Sequence, residues 1–160
     1  MDLTFKTPEG RFNYRVCAVI IHEGRLLAMH DGLSPYFYLP GGRVRLHEAA
    51  EDALRRELGE ELGIGARIVR PLWVNESFFT EDVTGERFHE LCLYYLADVT
   101  HTDLPGRGSA FSLRDRANGR ANAFEWLPFD RVKTEYLYPL FIKTALDRLP
   151  DTLTLLTTEE

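Results

Sequence analysis

The segment 47–65, "HEAAEDALRRELGEELGIG", constrains the fold most, because its apolar residues recur with the period of an α-helix. At about 100° of rotation per residue, the apolar side chains share one arc of that helix. They are Ala50, Ala53, Leu54, Leu58 and Leu62. Glu57 and Glu61 fall inside the same arc, Glu60 lies on its edge, and the glycines of "GIG" are typical of a helix end. The sequence therefore places carboxylates where a helix of this kind should meet the core.

A solvated helix face is the simplest interpretation of these acids, since surface helices commonly carry Glu and Arg. It fits poorly here, because like charges four residues apart repel and a buried, unpaired carboxylate costs roughly several kcal/mol. We therefore expect positive charge against this face. Arg55 and Arg56 supply part of it, and clustered carboxylates also suit a hard divalent ion such as Mg²⁺.

The length of 160 residues, 44% of them hydrophobic, predicts one globular domain spanning 1–160, with 1–10 and 151–160 as frayed tails. The net charge of -6 argues against long nucleic acid as a partner, and no apolar run has the length of a membrane span. A secretory signal is not visible, so we expect a cytoplasmic location. Cys17 and Cys92 lie in apolar strand-like runs and are expected to be buried thiols.

Strand patterns surround the acidic helix on both sides. "YRVCAVIIHEGRLLAMHD" predicts two strands joined at Glu23-Gly24, followed by the short aromatic strand "YFYLPGGRV". After the helix, "ARIVRPLWVNESFF" and "RFHELCLYYLADV" predict a strand pair, of which the second is central because both its faces are partly apolar. Residues 101–120 lack a period and predict a surface loop, and a strand "ANAFEWLPF" and a helix "YPLFIKTALDRL" follow. This order predicts an α/β fold with a mixed sheet between helices.

The helix and the glycines before it also carry a specific spacing. The pattern runs, in order, through Gly42, Glu48, Arg56, Glu57, Leu58, Glu60, Glu61, Gly63 and Ile64. It resembles the Nudix box, residues 42–64, at every defined position, and the flanking strand order resembles the Nudix α/β/α sandwich. The resemblance implies a Nudix hydrolase, which cleaves a nucleoside diphosphate linked to another moiety by attack of water on phosphorus.

The resemblance also assigns roles to the box residues. It implies that Glu57, Glu60 and Glu61, with the Gly42 carbonyl, hold Mg²⁺, for which Mn²⁺ is a substitute. Glu48 and Arg56 match box positions that brace the site. A charge-assisted bond from Arg56 to a carboxylate would fix the geometry of the ligands.

The general base is left open by the sequence, because Nudix hydrolases differ in where it lies. Glu125, in "AFEWLPF", resembles a late carboxylate that some members use as base or extra metal ligand. Glu90, in "FHEL", lies on a strand that could face the cleft. Each could equally be an ordinary surface or ion-paired acid.

Substrate selection rests on fewer signals. Phe79 could stack on a base, Arg120 could contact a phosphate, and His89 could face the substrate, although core, loop and strand roles are the simpler alternatives. Members specialised for ADP-ribose resemble one another in a proline beyond the box, where this chain has Phe79 and Thr80.

Three functions remain open after these signals. The late Glu125-Trp126 pair resembles nucleotide-cleaning members, which favours a nucleoside triphosphate or a damaged nucleotide as the small-molecule substrate. The alternatives are a nucleoside diphosphate or nucleotide-sugar hydrolase and a non-catalytic nucleotide-sensing domain. Either a monomer or a homodimer is compatible with the sequence.

Overall fold

The fold is built on one large sheet, and the computed structural model describes all residues, 1–160. The strands are β1 (Thr4–Thr7), β2 (Gly10–His22), β3 (Arg25–His30), β4 (Gly41–Arg43), β5 (Arg67–Thr80), β6 (Arg87–Asp98), β7 (Ala110–Arg114), β8 (Ala121–Pro128) and β9 (Thr154–Glu159). The helices are α1 (Ala50–Leu62), α2 (Phe129–Val132) and α3 (Ile142–Ala145), with a 3₁₀ turn at Leu104–Arg107. None of these helices has the length and apolar character that crossing a bilayer requires.

The strand order is β7-β8-β3-β2-β6-β5-β9, and β1 and β4 pair with β2 outside this path. The β2–β6 and β5–β9 pairs are parallel and the remaining pairs are antiparallel, so the sheet is mixed. One apolar cluster joins α1 to the sheet, and a second contains side chains of α2 and α3. The predicted α/β class, with a mixed sheet between helices, is confirmed.

One turn, one helix end and the position of one strand follow from sequence patterns. β2 and β3 are joined by Glu23 and Gly24, at φ 49° and 70°, the left-handed pair that a two-residue hairpin turn requires. α1 ends at Gly63, whose φ is 66° and whose N–H donates to the Gly59 carbonyl at 3.1 Å. β6 lies between β2 and β5, as the two apolar faces of its sequence predicted.

The structure corrects three expectations. The end segments 1–10 and 151–160 contain paired strands, because β1 is in register with β2 and β9 with β5. The segment 101–120 contains the 3₁₀ turn and β7, which pairs with β8 as a sheet edge and therefore needs no strong apolar period. The late helix is confined to Ile142–Ala145. The residues on either side form turns, and in the turn before it the Lys143 N–H donates to the Leu140 carbonyl, three residues earlier, at 3.2 Å.

Candidate active site

The floor of the largest cleft is a polar row across three strands. Residue pairing places Asn13 of β2 beside Glu90 of β6, and Glu90 beside Ser77 of β5. One rung further along, Arg15 lies beside Cys92. Side chains alternate between faces along a strand, so these residues share one face. All of them except the buried Cys92 border a cavity of about 870 Å³ that Glu57 and Glu61 of α1 also line.

The two glycines that begin β4 make room for these two carboxylates at the cavity wall. The Gly41 N–H donates to Glu61 Oε2 at 3.1 Å, and Glu61 is only 7% exposed. A Cβ placed on Gly42 would lie 2.2 Å from the Glu57 carboxyl carbon, so the missing side chain makes room for that carboxylate. The two glycines therefore admit the acids that the sequence placed on the apolar arc.

Burial makes this pair of acids electrostatically costly. It raises the pKa of Glu57, and it raises the pKa of Glu61 well above the usual value, with the neighbouring Glu57 charge adding to the effect. Burial would lower the pKa of Arg15, but the nearby Glu90 carboxylate, with smaller contributions from neighbouring thiol and phenol groups, outweighs it and raises that pKa. Two carboxylates whose charge is only partly compensated supply oxygen donors that suit a hard divalent cation.

Arg56 joins the box residues into one network. Its guanidinium donates to both Glu48 oxygens, from Nε to Oε1 at 2.7 Å and from Nη2 to Oε2 at 2.9 Å. The same guanidinium donates to Glu57 Oε1 at 2.7 Å and to the Arg43 carbonyl at 3.0 Å. The pairing lowers the pKa of Glu48 to about 2. Arg56 therefore fixes both the orientation of Glu57 and the loop that leads into α1.

Glu60 lies at the margin of this group. Its carboxylate is 3.6 Å from Arg56 Nη1 and 3.9 Å from Arg45 Nη2, and it does not line the cavity. No three His, Cys, Asp or Glu side chains are gathered tightly enough to enclose a metal ion. Glu60 would join Glu57 and Glu61 only by turning its side chain.

The two candidate bases occupy different parts of the molecule. Glu90 is 7% exposed, lines the cavity and accepts a hydrogen bond from Asn13 Nδ2 at 3.3 Å. Glu125, in contrast, forms an ion pair with Arg131 and does not line the cavity. Trp126 beside it is buried in the apolar core with α1. The structure thus brings Glu90, but not Glu125, together with the box acids.

The remaining candidates are divided in the same way. Phe79 and Arg120 line the cavity, and Arg120 reaches it from the turn between β7 and β8. That turn is held against α1 by the Arg116 N–H, which donates to the Glu60 carbonyl at 2.9 Å. His89 lies outside this cavity and pairs with Glu76 at 2.8 Å. Because it alternates with Glu90 along β6, it belongs to the opposite face.

Among the cavity residues that were not singled out from the sequence are three polar side chains of β2 and β4. Asn13 and Arg15 interrupt the apolar face of β2 at alternate positions, and Arg43 lies opposite Arg15 in β4. Polar residues two apart in a strand that is otherwise apolar are a detectable signal. This signal alone does not assign Asn13 and Arg15 to a site, because the face of a strand that borders a cleft is not known until the strands are paired.

Aromatic side chains close the far side of the cavity. Tyr36 and Tyr138 line it, and their rings pack edge to face with centroids 5.1 Å apart. The Tyr36 hydroxyl donates to Glu81 at 2.9 Å and the Tyr138 hydroxyl donates to Asp82 at 2.8 Å. The turn after β5 is thereby tied to two other loops at the cavity rim.

Solved structures with the same fold include several hydrolases. The chain is similar to a MutT Nudix hydrolase from Burkholderia pseudomallei, at 26% identity over 75% of this chain and 85% of that one, with a TM-score of 0.51. It shares the fold of a MutT protein from Bacillus halodurans, at 15% identity over 92% and 89% of the chains (TM-score 0.60). The fold is also that of an ADP-ribose pyrophosphatase from Streptococcus suis, at 15% identity over 90% and 98% (TM-score 0.59). No curated protein matches the chain.

The family model of the Nudix domain matches residues 11–147, which include the whole box and every strand from β3 to β8. The resemblance in residues 42–64 is therefore confirmed over most of the chain. Nudix enzymes act on nucleoside diphosphate derivatives and generally use divalent metal ions. The chain belongs to the Nudix hydrolase family.

Proposed function

We propose that residues 1–160 form a single catalytic domain, a divalent-metal-dependent pyrophosphohydrolase that cleaves a nucleoside diphosphate linked to another moiety. A nucleoside triphosphate or a damaged nucleotide is the favoured substrate. One observation carries the proposal: the buried Glu61 and half-buried Glu57 carboxylates face a cleft whose floor holds Arg15 and Glu90. The cleft thus has two carboxylates on one side and an arginine with a further carboxylate on the other. This arrangement suits a phosphorylated substrate that arrives with a divalent ion.

Glu57, Glu61 and the Gly42 carbonyl, with Glu60 after a side-chain turn, would hold Mg²⁺, and Mn²⁺ would substitute. The bound ion would neutralise charge on phosphoryl oxygens and lower the pKa of a water molecule. The residues fit this role because burial penalises both carboxylates, and a cation would relieve that penalty.

Arg56 and Glu48 act as positioning residues in this proposal. Arg56 spans Glu48 and Glu57 through three charge-assisted bonds of 2.7, 2.7 and 2.9 Å, and such bonds hold a carboxylate in one orientation. Loss of either partner should weaken the site without removing a group that touches the substrate.

Glu90 is the proposed general base. Its Oε2 is occupied by the Asn13 amide, which leaves Oε1 to accept the proton of the attacking water. Arg15, Arg43 and Arg120 line the same cavity and would contact the phosphates. Three arginines suit a polyphosphate better than a neutral sugar, and Phe79 offers a face on which a base can stack. The preference for a triphosphate therefore rests on these arginines and Phe79. It does not rest on Trp126, which is buried in the core.

The test is release of nucleoside monophosphate from a panel of nucleoside di- and triphosphates, their oxidised forms and nucleotide sugars, with and without Mg²⁺. We expect Mg²⁺-dependent turnover that collapses in Glu61→Gln, with triphosphates or oxidised forms turned over fastest. If a nucleotide sugar were turned over fastest, it would take the place of the triphosphate or damaged nucleotide as the favoured substrate. Tight binding of a panel member without turnover would instead indicate the non-catalytic sensor.

A matched pair of variants tests the base. Glu90→Gln should lower kcat by roughly 10²- to 10⁴-fold, the usual contribution of a general base. Glu125→Gln removes an equal charge from an acid outside the cavity and should leave kcat within about twofold of wild type, because a partly exposed ion pair contributes little. The reverse result would return the base to Glu125.

A further inference from the structure

The carboxylate proposed as the base is the end of a hydrogen-bonded row that begins in β1. Residue pairing aligns Thr4 with Asn13 and Asn13 with Glu90, so three side chains from three strands lie side by side. The Thr4 hydroxyl is 2.7 Å from Asn13 Oδ1, and Asn13 Nδ2 is 3.3 Å from Glu90 Oε2. Asn13 is 3% exposed and Glu90 7%, so water competes little for these bonds.

The row fixes which end of the Asn13 amide faces Glu90. The Thr4 hydroxyl has one proton to donate, and its shorter contact is to Asn13 Oδ1 at 2.7 Å, against 3.0 Å to the Phe12 carbonyl. With the oxygen held by Thr4, the NH₂ group must point to Glu90. The flipped amide would set its oxygen against a carboxylate oxygen inside a buried site, which is unfavourable.

We propose that Thr4 and Asn13 are positioning residues for catalysis, with Thr4 orienting the Asn13 amide and Asn13 holding Glu90 Oε2. The inference rests on the proposed function in taking Glu90 as the base. A held Oε2 leaves one oxygen, Oε1, in a defined place for the proton of the attacking water, and small displacements of a catalytic group cost rate steeply.

β1 is well placed for this task. It lies outside residues 11–147, the part of the chain that matches the family model. The strand is also anchored on two sides, because the Leu3 N–H donates to the Val44 carbonyl at 2.8 Å and the Leu3 carbonyl accepts from the Tyr14 N–H at 3.0 Å. Thr4 is therefore held between β2 and the loop that leads into α1.

The experiment compares Thr4→Val, Thr4→Ser and Thr7→Val with wild type. Val keeps the shape of Thr without its hydroxyl, Ser keeps the hydroxyl, and Thr7 is a matched control because its hydroxyl donates to the Gly10 carbonyl of its own hairpin at 3.2 Å. With the panel nucleotide that is turned over fastest, Thr4→Val should lower kcat about five- to tenfold at unchanged KM, the effect of one lost hydrogen bond. Thr4→Ser should restore most of it, and Thr7→Val should behave as wild type.

A second measurement does not depend on turnover. Hydrogen exchange of the Asn13 side-chain amide, followed by NMR, should be slow in wild type and Thr7→Val and at least tenfold faster in Thr4→Val. Asn13→Leu, which removes the donor itself, should lower kcat roughly 10²-fold.

Several results would overturn the proposal. The first is a wild-type kcat in Thr4→Val or Asn13→Leu when Glu90→Gln is inactive. The second is an equal loss of kcat in Thr4→Val and Thr7→Val. The third is an unchanged rate of Asn13 amide exchange in Thr4→Val. Full activity of Glu90→Gln would instead refute the base itself. In that case the amide exchange still shows whether Thr4 orients Asn13, but the catalytic role of the pair fails.

Discussion

Replacement of Gly42 by Ala adds one methyl group where β4 lies against the Glu57 carboxylate of α1, and so tests whether that carboxylate needs the space. The new Cβ would lie 2.2 Å from the Glu57 carboxyl carbon and 2.4 Å from each of its oxygens. Ordinary carbon–carbon contacts are about 3.5 Å, so the carboxylate must move by roughly 1.3 Å. A displacement of about 1 Å at a catalytic group costs roughly 10²-fold in rate, and we expect a loss of that size in kcat.

The same change should cost little stability. The backbone of Gly42 is not left-handed, and the group that must move is the Glu57 carboxylate, which loses its hydrogen bond from Arg56 Nη1. The lower entropy of an unfolded chain with Ala offsets part of the strain and of the lost bond, so the free energy of unfolding should fall by about 2 kcal/mol or less. Gly41→Ala is the contrasting control, because its Cβ would lie 2.1 Å from the Val16 carbonyl oxygen at a φ of 152°, and it should unfold the protein.

Three measurements on Gly42→Ala decide the matter: urea unfolding in the absence of metal, Mn²⁺ affinity by titration, and kcat on the fastest panel nucleotide. Normal stability with weakened Mn²⁺ binding and slow turnover would support the assignment of Glu57. Wild-type Mn²⁺ affinity and turnover would refute the claim that the carboxylate must occupy this place. A large loss of stability would refute the claim that the side chain absorbs the clash.

Three further predictions concern the charges around this site. Because Arg56 lowers the pKa of Glu48 from 4.5 to about 2, the stability it contributes is present above pH 4.5 and lost as pH falls towards 2. Glu48→Gln should therefore reduce the free energy of unfolding at pH 7 by about 1 kcal/mol, because solvent screens much of this ion pair, and flatten its acid dependence in urea titrations. Glu61→Gln should raise the melting temperature of the metal-free protein, since burial raises the pKa of this acid and disfavours its charge; a lower melting temperature would contradict this. Arg120→Ala should raise KM several-fold and leave kcat nearly unchanged, and a fall in kcat alone would exclude a role in ground-state binding.

The sequence predicted those elements whose signals are local. The turn at Glu23 and Gly24, the extent of α1 and its end at Gly63 all depend on residues a few positions apart. The acids on the apolar arc of α1 were also predicted, because the period of a helix alone decides which side chains share a face.

What the sequence left open needs information that only strand pairing supplies. Glu125 and Glu90 are both acids in strands of similar pattern, and only the pairing shows that one borders the cavity and the other pairs with Arg131. The end strands carry weak apolar patterns of their own. β1 is held by the hairpin it forms with β2, and β9 is held by β5, which is far away in sequence. Arg15 was missed for the same reason, since a polar residue in a buried strand gains meaning only from what lies opposite.

The two parallel pairings have a consequence for how the molecule reaches its native state. Both pairings join residues far apart in sequence. Asn13 of β2 contacts Glu90 of β6, 77 positions away, and Asn75 of β5 contacts Thr158 of β9, 83 positions away. The loop entropy of such contacts must be overcome before they return any stability, and proteins rich in them fold in milliseconds to seconds. We therefore expect the polar row beneath the cleft to assemble late, so that partly folded chains carry α1 and the β2–β3 hairpin but no working site.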